Sequence, residues 1–456
     1  MPVTSVGQSR SVGERHPRSR DFQARPSLKT DISYAMVTLG STMIWSVLGG
    51  WLFYFYLPPE GEGPVLVPAA LCGAAMFVTR VLNALIALPV GYLSDHARGR
   101  WGRRLPFMFF SALPMLLFFV LLWTPPVSGQ SMWNLIYLAL IYALYNVAYT
   151  FNQIPFTALL PELALTDHHR VRMSAWSAGC LLIGMIMSGL AGPVIEGLGY
   201  LDTALIYAGI ALPLLYLPLL VLHERPERQV SGPGVAVRRM DFWHSLVAVW
   251  RNRAFRLITA TGVLYRIVLV LVQAAIPFIV TEVCHLTRAD TMYFYIPALL
   301  ASLVCYPFLT WLSDRAGKCA VFAASLLASA VVLPGLMFIG DWFPVALKVQ
   351  GIVWVALQAT AMSGVTMLPP AFGAEVTDHG AARTGQRHEG TYYATWGVIE
   401  QIINGAAMAL LPLLLLLGRG RSGPHGPLGV RMIGVVGGAL MLAAYLVFLR
   451  YPLRER

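Results

Sequence analysis

Twelve apolar stretches occupy most of this chain, each long enough to cross a bilayer as a helix. About 20 apolar residues span the hydrocarbon core. Scanning at that length finds segments near 32–57, 66–93, 107–124, 133–160, 172–195 and 201–222. Six more lie near 255–281, 291–312, 320–339, 345–369, 391–417 and 430–449. Membrane strands would instead need alternating segments of about 10 residues, and the sequence has none. The expected fold is an all-α membrane protein with twelve transmembrane helices. Only 12% of the residues are charged and 57% are hydrophobic, against about 25% charged in a soluble domain. Lipid or another helix must cover most of this surface.

Two turns between spans rhyme. Gly91-Tyr-Leu-Ser-Asp95 runs into His96-Ala-Arg-Gly-Arg-Trp-Gly-Arg-Arg104, and half a chain later Trp311-Leu-Ser-Asp314 runs into Arg315-Ala-Gly-Lys318. An acid-then-base turn repeated at matching places implies two six-helix pseudo-repeats, the usual build of a transporter. The expected organisation is a polar tail over 1–31, a helical bundle over 32–222, a linker over 223–254, a second bundle over 255–449 and a short tail over 450–456. The linker contains Ser231-Gly-Pro-Gly234, and its stretch Asp241 to Trp250 has apolar residues at helical spacing. That stretch is expected to lie along the membrane surface as an amphipathic helix.

The net charge of +11 could suggest nucleic acid, but its placement argues otherwise. Sorting the gaps between spans alternately puts 26 of the 33 Lys and Arg on one side. Only Arg288, Lys348, Arg419, Arg421 and Arg431 fall on the other, and Arg80 and Arg266 lie inside spans. This asymmetry implies a multi-pass protein of the cell (inner) membrane with both termini in the cytoplasm. Residues 1–31 lack the apolar core of a signal peptide and are expected to form a cytoplasmic tail. Five scattered cysteines show no metal-ligand or disulfide pattern. No His-Glu-x-x-His or Gly-x-Ser-x-Gly motif appears in the spans, which argues against an enzyme. No cofactor and no metal are expected. The expected partners are the bilayer and a small-molecule substrate, with no nucleic acid, and the chain is expected to act as a monomer.

Gly-x-x-x-Asp followed by a basic turn resembles the loop signature of the major facilitator superfamily. Longer stretches narrow the resemblance. Arg80-Val-Leu-Asn-Ala-Leu-Ile-Ala-Leu-Pro-Val-Gly91 and the turn after it are similar to those of the glycoside–pentoside–hexuronide:cation symporters, the melibiose-permease-like group. Asn152-Gln-Ile-Pro-Phe-Thr-Ala-Leu-Leu-Pro-Glu162, with Asp167 and Arg170, resembles their fourth span and next loop. Glu375-Val-Thr-Asp-His379, Arg383-Thr-Gly-Gln-Arg387 and Glu389-Gly-Thr-Tyr-Tyr393 resemble their loop before span 11. The resemblance implies two bundles that rock by alternating access around a central substrate. The departures from the family pattern are as informative. Where the sodium-coupled sugar members carry two aspartates in span 2, this chain has Asn83 and Ala87. Their span-4 aspartate is Gln153 here, their span-1 aspartate aligns near Thr42, and their span-11 lysine near Gln401. A cation site needs hard, usually anionic oxygen ligands, so sodium coupling through Asn83 is doubtful.

Polar stripes then mark candidate substrate contacts. Tyr142, Tyr145, Asn146, Tyr149 and Gln153 share one face of span 4, and Tyr393, Trp396, Glu400 and Asn404 share one face of span 11. Aromatic rings cover the apolar faces of sugars and amides bond hydroxyls, so the expected substrate-binding residues are Tyr145, Tyr149, Asn152, Gln153, Trp45, Thr42, Trp396, Gln401 and Asn404. Interhelical packing is the alternative for the same stripes. Arg80, Arg266 and Glu400 are charges inside spans, kept only where they pair or face water. Glu400 is the candidate carrier of a coupling proton, with a static Glu400–Arg pair as the alternative. Asp95, Arg103, Arg104, Asp314 and Arg315 form the candidate cytoplasmic gate. His168, His169, His379 and His388 are expected to be solvated in loops. The expected function is secondary transport of a sugar, glycoside or similar small polar solute, with protons as the candidate coupling ion. The alternatives are transport of an amphiphile such as a lysolipid, and a non-transporting sensor on the same fold.

Overall fold

The computed structural model describes residues 28–59, 61–97, 102–163, 167–222, 250, 252–340, 343–373, 375–376, 389–417 and 428–452. Among the described residues, eleven helical stretches are long and apolar enough to cross a membrane, and a shorter apolar helix of 17 residues, Leu105–Leu121, makes the twelfth. They are α1 (Leu28–Tyr56), α2 (Ala69–His96), α3 (Leu105–Leu121), α4 (Met132–Leu163), α5 (Asp167–Leu198) and α6 (Tyr200–Val221) in the first half. The second half has α7 (Arg253–Phe278), α8 (Met292–Ala316), α9 (Lys318–Val332), α10 (Leu347–Met367), α11 (Glu389–Leu415) and α12 (Leu428–Phe448). The surface helix expected over 241–250 lies outside the described residues, apart from Trp250. Because the helices alternate in direction, α1 begins and α12 ends on the same side, called here the terminal face.

Each apolar window became a helix because a backbone in lipid must satisfy its hydrogen bonds internally. The helices overshoot the windows where the chain enters water. α4 and α5 each have 32 residues, about 48 Å at 1.5 Å per residue, against a hydrocarbon core of ~30 Å. α5 therefore starts at Asp167, ahead of the apolar edge at 172, because hydropathy sees only the part in lipid. Prolines shape several ends. After Pro277 the last turn of α7 widens into a π-turn over Ile279–Val283, and after α9 the chain tightens into a 3₁₀ turn, Leu333–Phe338, that contains Pro334. The outer surface is apolar: Leu220, Val304 and Val331 are 73%, 75% and 70% exposed, as lipid contact allows.

The two hairpins repeat in structure as well as in sequence. Gly102 (φ +100°) precedes α3 and Gly317 (φ +83°) precedes α9. Both lie in a backbone region that residues with a Cβ avoid. A basic residue just after each glycine reaches the fourth helix of its own half or the chain just past it. Arg104 donates to the carbonyl of Ala158 on α4. Lys318 pairs with Glu375, just past α10, at 2.9 Å.

Across the halves, α1 meets α7, α2 meets α11 and α5 meets α8. Small residues allow the close approach, as is usual where lipid supplies no hydrophobic drive. A Cβ on Gly73 would lie 2.7 Å from the carbonyl oxygen of Ala409, and one on Gly405 would lie 2.9 Å from Cβ of Arg80.

Candidate functional site

A small closed chamber of about 30 Å³ sits between the halves, midway along the helices. The first half supplies Trp45 from α1, Arg80 from α2, and Tyr142 and Tyr145 from α4. The second half supplies Gln273 from α7 and Asn404 from α11. Arg80 is 9% exposed. Its Nη1 donates to Oε1 of Gln401 at 3.4 Å, and its guanidinium carbon lies 5.3 Å from the Tyr142 ring centre. Nε of Arg80, the hydroxyl of Tyr145 and Oδ1 of Asn404 are buried without a hydrogen-bond partner. Such unsatisfied polar atoms are few in folded proteins and call for an explanation.

The span-4 tyrosines form a ladder because residues three and four apart share a helix face. Tyr142 and Tyr145 stack with ring centres 6.4 Å apart, and Tyr145 and Tyr149 at 6.0 Å. Tyr149 lies within electrostatic reach of both Arg80 and Glu400. Asn146 turns away: its amide donates to the carbonyl of Tyr142 at 2.7 Å.

A second, wider cavity of about 370 Å³ lies inside the second half and reaches towards the terminal face, where Phe255, Gly373 and Val376 ring it. Its polar wall is the ion pair of Arg266 with Glu400. The two side chains are 37% and 33% exposed, so the pair is wet. Trp396 closes one side, packed so tightly on Gly262 that a methyl group there would overlap the ring. Arg266 had no partner assigned from sequence; α7 and α11 supply it, in the static pairing considered for Glu400.

Other expected contacts fall elsewhere. Asn152 is 2% exposed and bonds the carbonyl of Met108 at 3.2 Å and the Ser111 hydroxyl at 3.4 Å on α3. It staples two helices of one bundle and faces away from the chamber. Gln153 is half-buried and donates to Oδ1 of Asn152 at 3.4 Å. Asn83 accepts from the Thr150 hydroxyl at 2.8 Å, which ties α2 to α4. Thr42 packs on α5, where a Cβ at Gly184 would come within 3.0 Å of it. Of the gate residues, Asp314 is exposed, and Arg315 stacks on Trp311 of its own helix at 4.2 Å. Arg103 is half-buried, and the side chain of Asp95 lies outside the described residues. So do those of Asp167, His168, Arg170 and Tyr393, and the loop with His379 and His388.

Two networks escaped sequence reading. His169, expected in solvent, is 2% exposed. Its Nε2 meets Oδ1 of Asp31 at 2.7 Å, and Nε of Arg172 meets the other oxygen at 2.6 Å. The helical extension of α5 beyond the membrane brings this pair against α1. The second network closes the face opposite the termini. Arg288 pairs with Glu62 at 2.8 Å and sits over the rings of Tyr54 and Tyr200. Tyr54 bonds Glu62 and also Thr281, at 3.0 Å. Glu196 accepts from the backbone N–H of Ala289 at 2.6 Å. The scarcity of basic residues on that side was the one available signal: Arg288 is among five.

Two repeated bundles, a small chamber with a few polar groups at their seam and a latched face opposite the termini define a secondary membrane transporter. Residues 33–455 match the family described as MFS/sugar transport protein. The chain belongs to that family, on the glycoside–pentoside–hexuronide:cation symporter branch of the major facilitator superfamily. It is 23% identical over 445 residues to the glucuronide carrier protein homolog of Escherichia coli, covering 94% of this chain and 93% of that one. It is 31% identical over 164 residues to an uncharacterized symporter of Synechocystis sp., a match spanning 35% of this chain and 29% of that relative's length. The crystal structure of the nucleoside transporter NupG superposes with a TM-score of 0.63 at 13% identity, covering 92% of this chain and 98% of that one. At that identity the likeness speaks for the fold alone.

Proposed function

We propose that this transporter moves a sugar, glycoside or similar small polar solute by alternating access, held between the halves at Arg80, Tyr145, Tyr149, Gln401 and Asn404. The observation that carries this reading is the seam chamber, where both halves present rings, amides and unsatisfied polar atoms to one small space. Trp45 and the Tyr142–Tyr149 ladder supply the aromatic wall, and Gln153 and Trp396 stand further along the same two helix faces. Thr42 and Asn152 serve helix packing in this reading.

Glu400 carries the coupling proton. It is the one carboxylate among the residues lining the two cavities, and it pairs with Arg266. Sodium is not the coupling ion, because Asn83 and Ala87 supply no anionic oxygen on α2. The terminal face is cytoplasmic, in the inner membrane of the cell, so this conformation is closed to the outside. Asp95 and Asp314 latch the inner mouth in the opposite state, with Arg103, Arg104 and Arg315 as their basic companions. The Arg288–Glu62 pair is the outer counterpart.

The test is uptake of a sugar panel into proteoliposomes under imposed proton or sodium gradients. Accumulation driven by a proton gradient and lost in Glu400→Gln is expected. Sodium-driven accumulation would overturn the reading of Asn83, and undiminished proton coupling in Glu400→Gln would remove Glu400 from the mechanism. Uptake of a lysolipid with no uptake of any sugar would replace the substrate class.

A further inference from the structure

A third hollow, of about 520 Å³, lies on the outside of the first half, between α3 and α4. It is open along its side, and α3 packs chiefly on α4 and α6, so the hollow faces the bilayer. Its lining is almost wholly apolar. Ser111 and Ala148 are buried at its base, and Phe110, 68% exposed, stands at its rim. At the end nearer the termini, Phe107 stacks on Phe151 with ring centres 6.2 Å apart.

The groove has a length and a polarity. On α3 its lining runs from Pro106 to Phe118, about 18 Å at 1.5 Å per residue. One leaflet supplies half of a hydrocarbon core of ~30 Å. The groove therefore starts where α3 leaves the terminal face and ends near the bilayer midplane, as one acyl chain does. The turn that leads into it is basic. In the sequence, Arg98, Arg100, Arg103 and Arg104 stand there against Asp95. The end of α4 adds Glu162 and leaves the excess positive. Arg103, half-buried, comes just before the residues that open the groove. Basic residues at this level attract anionic lipid heads.

We propose that this groove binds one anionic phospholipid from the leaflet on the terminal face. Its acyl chain lies along Phe107, Phe110 and Phe118, and its phosphate sits at the Arg103 turn. The site is independent of the cargo and of the seam. Leu144, Val147 and Phe151 face the groove, while Tyr142, Tyr145 and Tyr149 lie on the opposite side of the same helix. The lipid thus fills the space behind the tyrosine ladder and stabilises the α3–α4 pair by binding the folded state alone.

The experiment places the full chain in nanodiscs of phosphatidylcholine mixed with phosphatidylglycerol and reads retained lipid by native mass spectrometry. One phosphatidylglycerol per chain is expected to stay bound, favoured at least about tenfold over phosphatidylcholine, as two basic residues at the surface allow. Val147→Trp, which fills the groove, should lose that lipid. Leu117→Trp, on the exposed side of α3 outside the groove, should keep it. Arg103→Gln should lower the preference while a lipid is still retained. In detergent, added phosphatidylglycerol should raise the melting temperature of the unaltered chain and of Leu117→Trp, and leave that of Val147→Trp unmoved. If Val147→Trp fails to fold, Phe110→Ala removes the rim and should weaken retention. Equal retention by Val147→Trp and Leu117→Trp would mean an annular shell only and overturns the site. Equal retention of the two phospholipids by the unaltered chain overturns the anionic head. Neither result touches the transport reading.

Discussion

The two halves each carry an arginine within a helix, and the two arginines live differently. Arg266 on α7 meets a carboxylate within its own half, at the wall of a wide, wet cavity. Arg80 on α2 meets an amide across the seam between halves and a ring of its own half, in a chamber almost too small for solvent. Where a charge is satisfied inside one rigid bundle, it contributes to that bundle. Where it is left unsatisfied at a seam that opens and closes, its energy depends on what occupies the seam. A transporter needs the second arrangement at its cargo site, because only there can cargo change the balance between conformations.

The sharpest break of this comparison is a split between activity and stability. Arg80→Gln is expected to reduce uptake of the transported solute about 100-fold while leaving the melting temperature in detergent unchanged or raised. The substitution removes a charge whose burial costs at least ~2.5 kcal/mol, against a weak hydrogen bond and one ring contact worth about 1 kcal/mol each. A lower melting temperature with normal uptake would reverse the roles of the two arginines. Arg266→Gln should do the opposite to stability. It strands Glu400, which would cost about 3–5 kcal/mol if fully buried. With both partners about a third exposed, solvent screening reduces the expected loss to about 1–2 kcal/mol. Pairing it with Glu400→Gln should recover most of that loss, and a double-mutant cycle by thermal denaturation checks the coupling.

Smaller effects sharpen the border of the site. Asn152→Ala should lower stability by about 1 kcal/mol through its lost bonds to α3 and leave the KM for uptake unchanged. Gln153→Ala should raise KM several-fold. Equal kinetic effects from both would place Asn152 back in the cavity. Asn83→Ala should likewise cost about 1 kcal/mol, measured by melting, with uptake still indifferent to sodium.

Much of this was legible beforehand, for identifiable reasons. The hairpins at Asp95 and Asp314 repeat because each half needs a glycine-permitted turn and a basic residue to tie its third helix to its fourth or to the chain just past it. Both needs leave letters in the sequence. The face of α4 bearing Tyr142, Tyr145 and Tyr149 followed from helical period alone. Asn152 did not: it lies one residue from Gln153, about 100° round the helix, and only the position of α3 decides that this direction is packing. His169 was misplaced because a hydropathy window cannot see a helix that continues into water and docks there.

The sequence by itself determined the number of spans, their pairing into two halves and the family, because the bilayer imposes length and hydrogen-bonding rules that act residue by residue. Only the tertiary structure decided which charges meet. Arg266 finds Glu400 and Arg288 finds Glu62 across 134 and 226 residues of chain, and Arg80 is left without a described carboxylate. A charge's partner is a matter of a few ångströms in space, and separation along the chain carries no record of it.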